Sequence, residues 1–160
     1  MNILVTGASR GIGAAAFALL QSTGHKVAGH STRGDDALIG ADLADPDAPR
    51  RLWETALERL DGRIDVLVNN AGIYEAVADD APDSAWHAAW ARTTAINVQA
   101  PADLSRLAIG HFRERGGEGS GGRIVNVASR AAFRGDSPQH WHYAASKAAL
   151  IAMTRTIARS

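Results

Sequence analysis

Tyr143 and Lys147 stand four residues apart in an alanine-rich stretch without proline, so a helix there sends both side chains from one face. A free phenol ionises near pH 10, which leaves little phenolate at neutrality. A neighbouring ammonium stabilises the anion and brings tyrosine toward the range that an acid/base needs. Taken alone, such a pair is an ordinary exposed helix face. A second feature adds to it. Thr6-Gly7-Ala8-Ser9-Arg10-Gly11-Ile12-Gly13 follows a short apolar run and leads into an Ala/Leu-rich stretch.

At a strand-to-helix turn, Gly7 lets the chain reverse sharply, Gly11 lets backbone approach a pyrophosphate, and Gly13 lets the helix pack closely on the sheet. The N–H groups of the loop, from Ser9 through Arg10 and Ile12, and the positive end of the helix dipole suit phosphates. The spacing is G-x3-G-x-G, unlike the G-x-G-x-x-G of the wider dinucleotide-binding group. A glycine-rich turn without a ligand is the plain alternative.

These residues need elements to hold them. Asn2 to Thr6 reads as a buried strand, Gly11 to Thr23 as a helix closed by Gly24, and Lys26 to His30 and Ala37 to Ala41 as two further strands. Pro46 to Leu60 carries Leu52, Ala56, Leu57 and Leu60 at helical spacing, with Asp45 as the expected N-cap. Ile64 to Asn69 is a fourth strand and Arg123 to Ala128 a fifth. Between them lies a helical stretch, about Ser84 to Arg115, interrupted by Pro101, and then a glycine-rich turn, Gly116 to Gly122. Trp141 to Arg159 is the last helix. Strands alternating with helices predict an α/β fold of one domain over 1–160, a doubly wound parallel sheet in three layers, α/β/α.

Composition narrows the partners. Seventeen basic residues balance seventeen acidic ones, so no net field favours nucleic acid or an anionic membrane. The absence of cysteine removes disulfides, thiolate metal sites and thiol nucleophiles. No stretch approaches the roughly 20 apolar residues of a membrane span, and Ile3-Leu4-Val5 is too short for a signal-peptide core. A soluble, cytoplasmic protein is expected. His140 and His142 flank Trp141 without a suitably spaced acidic partner, so pocket lining or packing is expected there and no metal site. Trp86 and Trp90, one helical turn apart, read as packing residues, and Arg130 and Arg134 as solvated loop residues.

With these motifs in order, the sequence resembles the short-chain dehydrogenase/reductase family in its single-domain form. Thr6 to Gly13 resembles the family's TGxxxGIG loop, and Asn69-Asn70-Ala71-Gly72 its NNAG motif beside the adenosine. Asp42-Leu43 is similar to the acidic position after the third strand, near the adenine. Ser129 and Tyr143-Ala144-Ala145-Ser146-Lys147 resemble the catalytic serine and YxxxK pair, and Asn97 the fourth catalytic position. The resemblance implies hydride transfer between a nicotinamide cofactor and a small carbonyl or alcohol. Tyr143 would protonate the developing alkoxide, Lys147 would also hold the nicotinamide ribose, and Ser129 would position the substrate oxygen. Pro101 has no N–H to return to the Asn97 carbonyl, which leaves that carbonyl open for the water the family holds there.

By the family pattern, the carboxylate that selects NAD(H) would stand at Ser31, within His30-Ser31-Thr32-Arg33, and is absent. Arg10 and Arg33 could serve a 2′-phosphate instead, so NADP(H) is favoured and NAD(H) remains open; Asp35 and Asp36 nearby weigh against the preference. The resemblance also implies a longer chain, whose later part supplies the last two strands and the substrate loop. Its absence would leave the fifth strand as an open edge and turnover by these 160 residues weak or nil. A homodimer through the 84–115 and 141–159 helices is open. The competing reading is a nucleotide-binding fragment or regulator of the same fold that performs no chemistry.

Overall fold

The apolar runs become strands Asn2–Val5 (β1), Lys26–Ser31 (β2), Leu38–Gly40 (β3), Val66–Asn69 (β4) and Arg123–Asn126 (β5) in a computed structural model that describes residues 1–115 and 121–159. All pair in parallel, in the order β3-β2-β1-β4-β5. The pleat sends neighbouring residues to opposite faces. Ile3, Val5, Leu38 and Val66 pack with Phe17 and Leu20 of helix α1 (Gly11–Ser22). Leu4, Ile39 and Leu67 face the other way, against α2 (Ala48–Arg59) and α4 (Ala100–Glu114). There Leu52, Ala56, Leu104 and Ala108 are fully buried, each leucine contributing about 1.5–3 kcal/mol by removal from water. This is the expected three-layer α/β/α arrangement.

The chain winds outward from β1 through β2 to β3, then returns to lay β4 and β5 on the far side of β1. The winding therefore reverses between β1 and β4, which opens a crevice at the carboxyl ends of those strands. At the other end of the order, β5 pairs only with β4 among the described residues, and Val125 is 46% exposed.

Three local expectations change. Asp45 does not cap α2. The helix starts at Ala48, with Pro49 in its first turn where a missing N–H costs nothing, and Asp45 instead folds back to accept the Asp47 N–H and to pair with Arg51. The long helical stretch is not broken at Pro101. It divides ahead of it, into α3 (Asp83–Thr94), a π-turn over Ala95–Gln99 and α4, whose first turn holds Pro101. The Ala100 N–H reaches back to the Ala95 carbonyl, five residues away. A short helix, α5 (Ala131–Arg134), precedes α6 (Trp141–Ile157) and was not expected. The glycine-rich turn, Gly116 to Gly122, lies outside the described residues except for its last two positions.

Candidate active site

The loop after β1 and the loop after β4 are tied to each other across the crevice. The Thr6 hydroxyl oxygen accepts the N–H groups of Asn70 at 3.0 Å and Ala71 at 2.9 Å. In return, the Asn70 side-chain amide donates to the Thr6 carbonyl at 2.9 Å and the Gly7 carbonyl at 3.1 Å. Gly7 takes φ +67°, the left-handed region, and a Cβ on Gly13 would sit 2.0 Å from the Gly7 carbonyl oxygen. Helix α1 thus abuts the loop as closely as backbone allows, while beside Gly11 there is open space.

That space belongs to a cleft of about 750 Å³. Gly7 and the run from Ser9 to Gly13 form one wall, Ser31 and Arg33 the end of β2, Asp42 and Leu43 the segment after β3, and Asn70, Ala71 and Gly72 the opposite wall. Every position that the sequence offered for the phosphate, ribose and adenine parts of a cofactor therefore lines one cavity, apart from Tyr143 and Lys147. Arg10, Arg33 and Arg92 line it with Asp42 as the opposing charge, so its lining is cationic on balance. Asp35 is not among the lining residues: its carboxylate accepts the N–H groups of Ala37 and Leu38, each at 2.8 Å, and is folded into its own turn. The Ser31 hydroxyl accepts the Gly34 N–H at 3.0 Å.

Lys147 does not itself line the cavity but packs behind Gly72, which does. A Cβ on Gly72 would lie 3.2 Å from Asn97 Oδ1, a tight contact, and 3.4 Å from Lys147 Nζ, so both side chains pack directly against this glycine. Lys147 is 5% exposed and donates to the Val127 carbonyl at 3.0 Å, and its burial pushes the ammonium below the usual lysine value. Nζ lies 5.8 Å from the centre of the half-buried Tyr143 ring, one turn back on α6. Ser129 follows β5, and its Oγ accepts the Ala131 N–H at 3.2 Å, a bond that does not use the hydroxyl hydrogen. Asn97 is fully buried in the π-turn; its amide holds the peptide of Ile73 and donates to Ser146 Oγ at 3.1 Å.

Several residues around the site carried no local signal, Tyr74 first among them, although its partner His140 is one where pocket lining or packing was expected. The Tyr74 ring stacks on His140 with centroids 3.9 Å apart and meets Tyr143 edge-on at 4.7 Å, while its hydroxyl donates to Asp136 at 3.0 Å. His30, Thr32, Ile73, Arg92 and Ile96 also line the cleft. Strand and helix periodicity cannot find such residues, because they meet only after β2, β4 and α6 converge. His142 is buried against Trp90, and Trp86 packs on Trp90 and edge-on to Trp141, as aromatic packing predicts. Among the described residues, no three His, Cys, Asp or Glu side chains gather as a metal site would require.

The glycine cradle and the cationic lining fit a pyrophosphate-containing nucleotide. A family model described as short chain dehydrogenase matches residues 1–160. The chain is 35% identical to an uncharacterized oxidoreductase of Thermotoga maritima, over 98% of this chain and 64% of that protein, and so spans less than two thirds of its length. Among solved structures, it is similar to a short chain dehydrogenase from Burkholderia cenocepacia in complex with NADP, with a TM-score of 0.83 and 38% identity over 99% of this chain and 67% of that one. It is also similar to a 3-ketoacyl-(acyl-carrier-protein) reductase from Brucella melitensis complexed with NADH, with a TM-score of 0.84 and 29% identity over 98% of this chain and 68% of that one. No helix among the described residues is long and apolar enough to cross a membrane.

Proposed function

This chain belongs to the short chain dehydrogenase family, and from that premise we propose that it forms the nucleotide-binding and catalytic part of an NADP(H)-dependent oxidoreductase acting on a small carbonyl or alcohol. The observation that carries the reading is the packing of Lys147 Nζ against Gly72, a residue that lines the cleft, one helical turn from Tyr143. A nicotinamide bound there supplies or takes up the hydride. The residues of the chain do the rest. The Gly7–Gly13 loop would hold the pyrophosphate through its N–H groups and the start of α1. The Lys147 ammonium would donate to ribose hydroxyls, the Ser129 hydroxyl would fix the substrate oxygen, and the Tyr143 hydroxyl would pass its proton to that oxygen as negative charge develops. Asn97 would serve through its backbone carbonyl, to which Pro101 offers no N–H.

Similar structures hold NADP and NADH, so family alone leaves the nicotinamide open. NADP(H) is favoured because β2 ends in Ser31 rather than a carboxylate, because Arg10 and Arg33 line the cleft, and because Asp35 is engaged in its own turn. A cytoplasmic location and a homodimer through α3, α4 and α6 belong to the same proposal.

The test is a paired titration and turnover assay of the natural gene product with a panel of ketones, aldehydes and secondary alcohols. Tyr143→Phe is expected to keep NADPH affinity and to lose roughly 10²–10⁴-fold in kcat. Nucleotide binding without turnover in the parent would instead mark a regulator. Equal efficiency with NADH and NADPH would remove the cofactor preference.

A further inference from the structure

His30 is the last but one residue of β2, 2% exposed, and its imidazole bridges two parts of the cleft that are far apart in the chain. The Gly7 N–H donates to Nδ1 at 3.2 Å, and Nε2 lies 2.8 Å from the Ala41 carbonyl. These partners determine the proton's place. A peptide N–H can only donate and a carbonyl can only accept, so Nδ1 carries a lone pair and Nε2 carries the hydrogen. The backbone of the same residue adds a third tie, since its carbonyl accepts the Ala8 N–H at 2.7 Å. One side chain thereby holds the loop at Gly7 and the segment leading to Asp42 and Leu43, two stretches that both line the cavity.

We infer that His30 is a positioning residue for the nucleotide, and that the cleft keeps its binding shape only while this imidazole is neutral. The inference rests on the nucleotide reading above. Protonation would place a second N–H on Nδ1, facing the Gly7 N–H donor, and the two cannot bond. The Thr6–Gly7 peptide would have to turn away, and with it the Thr6 carbonyl that Asn70 holds. Burial, partly offset by the bond to Ala41, pushes the imidazole below its ordinary value, in accord with a neutral ring. The charged groups that share the cleft are Arg10 of the loop, Arg33 after β2, Asp42 after β3 and Arg92 of α3.

The experiment measures NADP⁺ affinity of the chain by calorimetry from roughly pH 5 to 8, for the parent, His30→Gln and His30→Leu. Glutamine carries one acceptor and one donor but does not titrate. It is expected to bind within about threefold of the parent at neutral pH, while leucine, which leaves the Gly7 N–H unpaired, loses about tenfold. Phosphate groups of the ligand titrate in the same range, so the quantity read is the ratio of parent to His30→Gln. That ratio should fall as acid is added. A constant ratio, or leucine binding as well as the parent at neutral pH, overturns the inference. Imidazole ¹⁵N spectra of the unliganded chain test it separately. A lone pair on Nδ1 and a hydrogen on Nε2, with the Gly7 amide signal moving as the ring protonates, are expected; the opposite tautomer overturns it. Should NADP⁺ not bind at all, the nucleotide reading fails, and with it the proposed role, while the spectra still decide whether the latch exists.

Discussion

The side-chain amide of Asn97 grips the peptide of Ile73 from both sides, Oδ1 accepting its N–H at 2.9 Å and Nδ2 donating to its carbonyl at 3.0 Å. These are the two bonds a neighbouring strand would make. They extend the ordered backbone beyond β4 past Gly72 and fasten it to the π-turn between α3 and α4. Nδ2 also donates to Ser146, whose hydroxyl donates in turn to the Tyr143 carbonyl at 2.7 Å. The residue thus joins the far wall of the cleft to the start of α6.

Asn97→Ala should therefore cost about 2–4 kcal/mol, because it removes three bonds made by a fully buried side chain and leaves a partly buried N–H and carbonyl of Ile73 without their partner. Urea unfolding followed by circular dichroism checks this through a lower midpoint at unchanged slope. An unchanged midpoint would show that water replaces the amide without penalty.

Gly13→Ala and Gly24→Ala separate space from backbone conformation. At Gly13 a Cβ would lie 2.0 Å from the Gly7 carbonyl oxygen and 2.4 Å from the Asn70 amide nitrogen, so the loop must move. Nucleotide affinity is expected to fall by about tenfold or more. At Gly24 the added carbon meets open space and only the φ of +82° is strained, so about 1 kcal/mol of stability is lost with affinity intact. Parallel binding and melting curves of the two variants check the contrast.

Asp65 should dominate the acid limb of stability. Burial alone would raise its carboxyl, but the Asn2 N–H at 2.8 Å, Arg63 at 2.7 Å and Arg115 at 2.9 Å outweigh that and hold it at about 2, from 3.8. A carboxyl lowered by that much contributes on the order of 2 kcal/mol. With the folded value below the unfolded one, the contribution is complete well above 3.8 and disappears as pH falls through about 2. Asp65→Asn should lose that amount at neutral pH, and its unfolding curve should converge on the parent's toward the acid end.

Lys147 has the converse effect. Its burial lowers the folded value below the ordinary 10.5, so the unfolded chain holds the proton more tightly and stability rises with pH as 10.5 is approached. Lys147→Met should be at least as stable as the parent at neutral pH, with the gap closing as the solution is made alkaline. Urea titrations at a series of pH values check this; a methionine variant less stable throughout would mean that the bond to Val127 outweighs the cost of burying the charge.

Much of this protein is legible in its linear sequence. Alternating apolar runs and helical spacings marked the strands and main helices, and glycines at a strand-to-helix junction marked one wall of the cleft, because both depend on residues adjacent in the chain. Local chemistry also misled. Asp45 has the composition of an N-cap, yet Pro49 tolerates only the first helical turn and moves the start of α2 beyond it. Likewise Pro101 signalled an interruption, but the backbone rearranged ahead of it, in the π-turn.

By itself, the sequence determined the five strands and the main helices, their order, and which residues are candidates to hold phosphate or carry a proton. The tertiary structure alone decided which of them meet. Val5 pairs with Gly29 in the β1–β2 register, and that alignment carries His30 under Gly7, 23 residues away in the chain. Convergence of the segment after β4 with α6 likewise brings Tyr74 onto His140 and against Tyr143. Such contacts follow from strand order and register, which are set by burial summed over the whole sheet, and no local run of residues records that sum.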